Sequence, residues 1–502
     1  MKPFTADDLY EQKKLIDLHG LAGHTKSFGT VRSVNRKDNT YSTQIWRFEA
    51  LTKTAEPATP GDGSDNSPRL SPDGMTLAFL SNRGGDNTQL HLLALDSGEA
   101  KQLGNFASGV SSLRWASDSQ SLILAVPTSV SPDVRGKRGK SPETQSESDP
   151  EVCWKLPYKS DGVGYLLKRE IHLFRIGVNT RQTEQITDGP FDVLAFEPSQ
   201  DGKHIAYVRA RDGKYAHLSD LWICDAEGKN HRQVTHDVST VMQPSWAPDS
   251  QSLAYAGARK AGDSEARLWI LDLKTGMSRC VGGDAVEVAH PESLCWDEDD
   301  QKIYLVRAWR GRHELVSVGV QDGDIDVLLT GPRQIGAMSP MADGYAFSSQ
   351  SPDAPEELFY KSFEGGQKLQ LSNLNSWWAS RSAIEMSERT FEVPDGKGGL
   401  EKIHGWLLRG TDTPKGQPSP LLDDIHGGPG SYALLDYDTN VYWQAMCSRG
   451  WTILLLNAVG SSSYGEDFRT RLAGKWGAWT FRSIWRPSNN CRLKAFATTG
   501  CA

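Results

Sequence analysis

The sequence predicts an all-β propeller of about seven blades followed by an incomplete α/β domain. Three observations predict it. A strand–turn–strand unit recurs from Pro68 to Leu371 at nearly constant spacing but for one doubled interval. After Trp378 the pattern changes to alternating strand and helix signals. Past Gly477 that alternation breaks down before a full sheet has been laid out.

The recurring unit is an apolar strand, a tight Asp-Gly or Asp-Ser turn, a second apolar strand, and a third strand ending in Asp-x-x-x-Gly. Its clearest copy is Pro68–Leu103, followed by Ser112–Val126, Leu194–Thr235 and Pro244–Val281, with looser copies at Ser293–Leu329 and Ile335–Leu371. The turn residues Asp73, Asp118, Asp201, Asp249, Asp299 and Asp343 are spaced 45, 83, 48, 50 and 44 apart. A period of roughly 40–50 residues with several strands per unit is the mark of propeller blades, small sheets that bury their faces only against neighbours. Asp-Gly suits the hairpin because the turn demands positive φ, so these acids are read as structural. Val31–Ala50 supplies two strands of a further blade without the Asp-Gly turn, and Asp7–Leu18 is predicted as a short helix outside the ring. The predicted boundaries are a helical segment over 1–25 and a propeller over 26–378. The doubled interval holds an insertion over 127–150, rich in Ser, Pro, Lys and Glu and read as a flexible surface loop.

Beyond Trp378, Arg389–Val393 and Ile403–Arg409 form a predicted hairpin, and Leu421–His426 a strand running into Gly427-Gly428-Pro429-Gly430. Tyr442–Arg449 and Glu466–Ala473 read as helices, and Thr452–Val459 as a fully buried parallel strand. Strands alternating with helices imply a doubly wound sheet over 379–477.

The blocks IHGWLLRG, PLLDDIHGGPGSYA and MCSRGWTILLLNAVGSSSYGEDFRTRLAGKWG resemble the opening of the catalytic α/β-hydrolase domain of the prolyl oligopeptidase family. The HGGP variant, and KLPYKSDGVGYL at Lys155–Leu166, are most similar to its acylaminoacyl-peptidase and bacterial dipeptidyl-peptidase-like branch. The resemblance implies a serine peptidase that cleaves short peptides admitted past a propeller. It also implies an oxyanion-hole loop at His426, Gly427, Gly428 and Pro429, with Gly427 or Gly428 giving a backbone donor. Acyl transfer places negative charge on a carbonyl oxygen, and glycine lets backbone N–H groups approach it closely. Two departures stand out. Ala458-Val459 replaces the family's x-Arg before Gly460, and Asp424 occupies a strand position that is commonly apolar.

The catalytic machinery itself is missing from these residues. No G-x-S-x-G occurs; the nearest look-alike, Gly460–Gly465, has the wrong spacing. Only His404 and His426 lie in the hydrolase segment, both ahead of where a nucleophile would stand. No catalytic residue is therefore assigned, and inactivity is the expectation. The segment 478–502 shows no helical or strand period. Read one base early, Trp479-Thr480 forces aspartate, and synonymous codons allow DLPEHLAAIKQLQAEGIRDDRL, an amphipathic helix. A frameshift near codon 477 is the expected cause. The apolar strand around Thr452–Val459 is expected to lie uncovered as a result.

Composition bounds the rest. Among 502 residues, 38% are hydrophobic and 24% charged, with 63 acids against 55 bases and a net charge of −8. That gives no footprint for nucleic acid or an anionic membrane. The N-terminus has no apolar leader, and no run reaches the roughly 18 apolar residues of a membrane helix. Seven cysteines without a C-x-x-C pair predict neither a disulfide frame nor a zinc site, which places the chain in the cytoplasm. No metal or cofactor is expected, and short peptides are the expected partners. The competing reading is a non-catalytic propeller that binds peptides or proteins. A third is a separately made remainder that docks to restore a triad.

Overall fold

The computed structural model describes every residue except 62, 86, 97, 130–152, 162, 168, 263, 364, 396–397, 414–417, 429, 438, 485–486 and 489–502. Most of the insertion, Gly396, Pro429 and the final stretch of the tail thus lie outside the described residues.

A 3-10 turn at Ala6–Glu11 leads into four antiparallel strands, Lys13–Gly20, Lys26–Asn35, Thr40–Glu49 and Thr54–Pro57. The helix expected through Leu18 therefore ends at Glu11. Leu15 and Leu18 sit at helical spacing, yet a bulge between Leu15 and Asp17 shifts the strand's parity. Both leucines are buried while Ile16 is exposed. A one-residue insertion in a strand imitates a helical stripe.

Further four-stranded sheets follow at Asp65–Gln102, at Ser112–Gln185, at Val193–Gln233 and at Gln334–Gln370. Thr240–Leu329 form one nine-stranded sheet, in which two meanders are joined by the short strand Glu287–Val288 pairing Arg267 on one side and Ala308 on the other. Apolar clusters lie between successive sheets, as where Leu80 and Leu90 meet Leu113 and Leu122. The first sheet meets the last through Leu15, Leu18 and Val31 against Met341, Ala346 and Leu358. The ring is thus closed by packing, by a backbone bridge between Ala22 and Ala342, and by hydrogen bonds from Leu15 N–H to Glu356 and from Gly20 N–H to Ser339 Oγ.

The turn aspartates act on their own backbones. Asp73, Asp118, Asp201 and Asp249 each accept an N–H from two residues ahead, at 2.8 to 3.0 Å. The next residue carries positive φ even where it is Ser119 or Ser250. In the fifth copy Asp297, not Asp299, accepts from Gln301 and Lys302. A second periodic device is not obvious from the turns. Trp115, Trp246 and Trp296 stand three residues before their turn residue and donate Nε1–H to the preceding strand layer, at Arg69 O, Glu197 O and Ser245 O. The Lys155–Leu166 segment includes a hairpin, Lys159–Ser160 against Gly164–Tyr165, with Tyr158 and Tyr165 exposed.

The final sheet has the order Ile384–Pro394, Leu400–Gly410, Thr452–Asn457, Leu421–Asp424. Thr452–Asn457 runs parallel to Leu421–Asp424 and antiparallel to Leu400–Gly410. Two short helices accompany it, α1 (Val441–Cys447) and α2 (Glu466–Thr470). The strand expected to lie uncovered is central and buried at every position. Leu435, Trp443 and Cys447 cover one face. Phe468 covers the other, with Trp479 and Ile484 packed against it. Residues 478–484 are helical, although the sequence shows no such period there. Trp479 and Ile484 supply the apolar contact on that face, so the segment does cover the strand. Asp424, unusual in its strand, accepts hydrogen bonds from the Tyr442 hydroxyl and from Trp443 Nε1.

Candidate functional site

The strand Leu421–Asp424 delivers His426, Gly427 and Gly428 to a loop at its C-terminal end, where backbone groups of a parallel strand are no longer spent in the ladder. Gly427 and Gly428 are exposed, and a Cβ added to Gly427 would meet nothing within 4 Å. Gly428 has φ +137°, and a Cβ there would lie 2.9 Å from the Gly430 and Ser431 nitrogens. Only glycine fits that bend. The Arg469 guanidinium lies over Gly430, 2.8 Å from where a Cβ would stand.

His426 fixes the loop from within. Its Nδ1 lies 2.9 Å from Gly427 O, and its Nε2 lies 2.9 Å from Ser461 Oγ. A carbonyl can only accept, so Nδ1 carries the proton and Nε2 accepts from the serine hydroxyl. Burial holds the imidazole below its ordinary pKa. This is formally a serine–histidine pair. Ser461 is, however, 1% exposed, and among the described residues Nδ1 is held by the Gly427 carbonyl and by no carboxylate, so the pair holds two loops together.

The propeller supports the same loop from outside. Tyr432, just beyond the glycines, places its hydroxyl 2.5 Å from His313 Nε2, while His313 Nδ1 contacts the Ile335 backbone. Burial pushes His313 down to about 3, so this strut is uncharged at neutral pH. Ser463 N–H donates to Glu287 Oε2 at 2.6 Å, Arg310 N–H to Ser463 O at 2.8 Å, and Gly311 N–H to Ser463 Oγ at 2.9 Å. Gly311 has φ +73°, and a Cβ would come within 2.9 Å of Asn457 Nδ2. The turn Arg310–Gly311 thus lies directly on the module. His404, the other histidine in this segment, bridges Glu388 at 2.8 Å and Tyr464 at 2.6 Å, a structural relay away from the glycine loop.

A cavity of about 1750 Å³ runs within the ring and reaches Leu434 and Asp436, which follow the glycine loop. Its walls include Arg69, Arg114 and Glu197 as well as the three repeat tryptophans. Among the described residues, no group of three His, Cys, Asp or Glu side chains could hold a metal ion.

The sequence named His426, Gly427, Gly428 and Pro429; the first three lie on the loop after Leu421–Asp424, and Pro429 lies outside the described residues. It missed Ser461, Tyr432, His313 and Arg469. The serine run Gly460–Gly465 was visible, but its partner lies 35 residues upstream, a pairing no local spacing discloses. His313 belongs to a blade, where a buried histidine is indistinguishable in sequence from a surface one.

No protein-family model matches the chain. It is 26% identical over 500 residues to the uncharacterized peptidase YuxL of Bacillus subtilis, covering 95% of this chain and 74% of that one. It is 22% identical over 446 residues to dipeptidyl-peptidase 5 of Porphyromonas gingivalis, covering 84% and 63%. Among solved structures, the Pyrococcus horikoshii acylaminoacyl peptidase superposes with a TM-score of 0.76 at 18% identity, over 98% of this chain and 72% of that one. A puromycin hydrolase gives 0.70 at 15%, over 99% and 74%. Among the described residues, no helix is long and apolar enough to cross a membrane. In sequence the chain is thus similar to peptidases, and in fold it shares the propeller and hydrolase architecture of the acylaminoacyl peptidase and the puromycin hydrolase.

Proposed function

We propose that these 502 residues form the peptide-admitting and oxyanion-loop part of a serine peptidase acting on short peptides, acylaminoacyl- or dipeptidyl-peptidase-like, and that on their own they do not hydrolyse. The observation that carries the reading is the loop His426–Gly428, open at Gly427 and tied by His426 to Ser461, on a segment whose following residues Leu434 and Asp436 line a cavity of about 1750 Å³. An oxyanion loop stabilises charge but cannot attack, and an attacking group must be reachable by a carbonyl. We count the propeller as seven blades, the nine-stranded sheet being two, and set its limits at 13–378 in place of the expected 26–378, because Lys13–Gly20 is a strand of the first sheet, with the hydrolase part at 379–477. A cytoplasmic setting fits the free thiols of Cys153, Cys224, Cys280, Cys295 and Cys447.

The residues after Gly477 are read as out of frame, and sequencing the gene there tests it. The shifted frame should stay open and soon encode G-x-S-x-G; crowded stop codons would end the idea. Activity is tested on the purified chain with acyl-aminoacyl and dipeptidyl chromogenic substrates and a serine-reactive phosphonate. The expected result is no turnover and an unchanged mass. Stoichiometric labelling mapped to Ser461 would instead make the Ser461–His426 pair a working nucleophile and overturn the reading. The non-catalytic scaffold reading is favoured by the same cavity, and peptide binding without turnover is its signature.

A further inference from the structure

Glu265 is the least satisfied charged group at the contact between propeller and module. It is 2% exposed, and among the described residues neither carboxylate oxygen has a hydrogen-bond partner. Its nearest cation, Arg267 Nε, is 3.7 Å away, and the Arg267 guanidinium is also paired with Asp284. Glu287, from the joining strand, and Glu466, from α2, add like charges, the latter accepting Glu265's own N–H at 2.9 Å. Arg469 of α2 faces the cluster and lies 3.7 Å from Glu287. Three carboxylates therefore share two arginines, one of which already serves Asp284. A buried carboxylate with no partner is far more costly than a buried carboxylic acid.

We propose that Glu265 is a proton-operated latch between propeller and module: as the neutral acid it lets α2 and the loop 460–465 dock, and as the carboxylate it loosens them. The ligand is a proton, since the cluster offers no metal-holding geometry among the described residues. Burial, then Glu287, raises the Glu265 pKa to about 8, while Arg267 pulls it down. The sign follows. The docked state prefers the protonated form, so docking is strongest below the ordinary carboxyl range and weakens as pH rises toward about 8, beyond which it levels off. The consequence reaches the glycine loop, because Arg469, held on α2, lies over Gly430.

The test is amide hydrogen exchange on the full chain between pH 6 and 9, corrected for intrinsic rates. Peptides spanning 459–471 should open more readily by up to about tenfold per pH unit until pH 8, the limit for one linked proton. Peptides from Thr76–Ala94, remote from the cluster, should stay flat. Glu265→Gln should abolish the slope, and Arg267→Met should move its midpoint alkaline. A flat wild-type profile overturns the proposal whether or not the variants fold. So does a slope that persists in Glu265→Gln.

Discussion

The propeller and the module after it bury their strands by different means. In the ring, each sheet is covered by the next sheet of the same kind, so Leu122 and Leu124 are buried by residues of an adjacent repeat. Polar devices recur with the period: an aspartate satisfying its own turn, a tryptophan Nε1 reaching back to the preceding layer. In the module, the central strand Thr452–Asn457 has no such neighbours. It is covered by unlike parts, α1 on one face and Phe468, Trp479 and Ile484 on the other. Repetition makes the ring tolerant, because every interface is one of several similar ones. The module depends on single segments that nothing duplicates.

The sharpest way to break this comparison is to remove one side chain from each region. Leu455 is 1% exposed beneath α1, and Leu124 is fully buried between sheets. Either change to alanine should cost about 3 kcal/mol. The distribution of that loss is the informative part. Leu455→Ala should make residues 384–484 labile to protease while the ring keeps its melting transition. Leu124→Ala should lower the ring's transition as a whole, since each sheet's cover is its neighbour. Equal shifts of a single transition in both variants would show that ring and module unfold as one unit.

What the sequence disclosed follows the same division. The repeat spacing of Asp73, Asp118, Asp201 and Asp249 revealed the sheets because each unit states its own turn chemistry locally. The first strand escaped notice because the bulge at Leu15–Asp17 gave it helical spacing. In the module, the bend at Gly427 and Gly428 was legible as a loop because a glycine pair after a strand carries its conformational reason with it. Their supports were not, since His313 arrives from the propeller, and Ser461 and Arg469 from the segment 461–469 that follows the central strand. The cover supplied by Trp479 and Ile484 was hidden for another reason. The helix over 478–484 owes its place to an apolar strand it can bury, not to a periodic pattern of its own.

The smallest expected effect tests whether the ring's repeated polar contacts are true equivalents. Trp246 donates to Glu197 O at 2.8 Å and Trp296 to Ser245 O at 3.1 Å, both from largely buried rings. Phenylalanine at either position keeps most of the apolar contact and removes the donor, leaving one carbonyl without that partner. Such a loss costs about 1 kcal/mol. Trp246→Phe and Trp296→Phe should therefore each lower stability in denaturant titration by about that amount, without changing the slope of the transition. The two rings occupy adjacent layers, and Ser245, the acceptor for Trp296, directly precedes Trp246 in sequence. The double variant should for that reason depart from additivity, losing less than the sum, because the strand carrying Ser245 is already loosened by the first change. A strictly additive pair would mean that each contact is independent, and that the ring's tolerance comes from isolated interfaces and not from a shared chain of them.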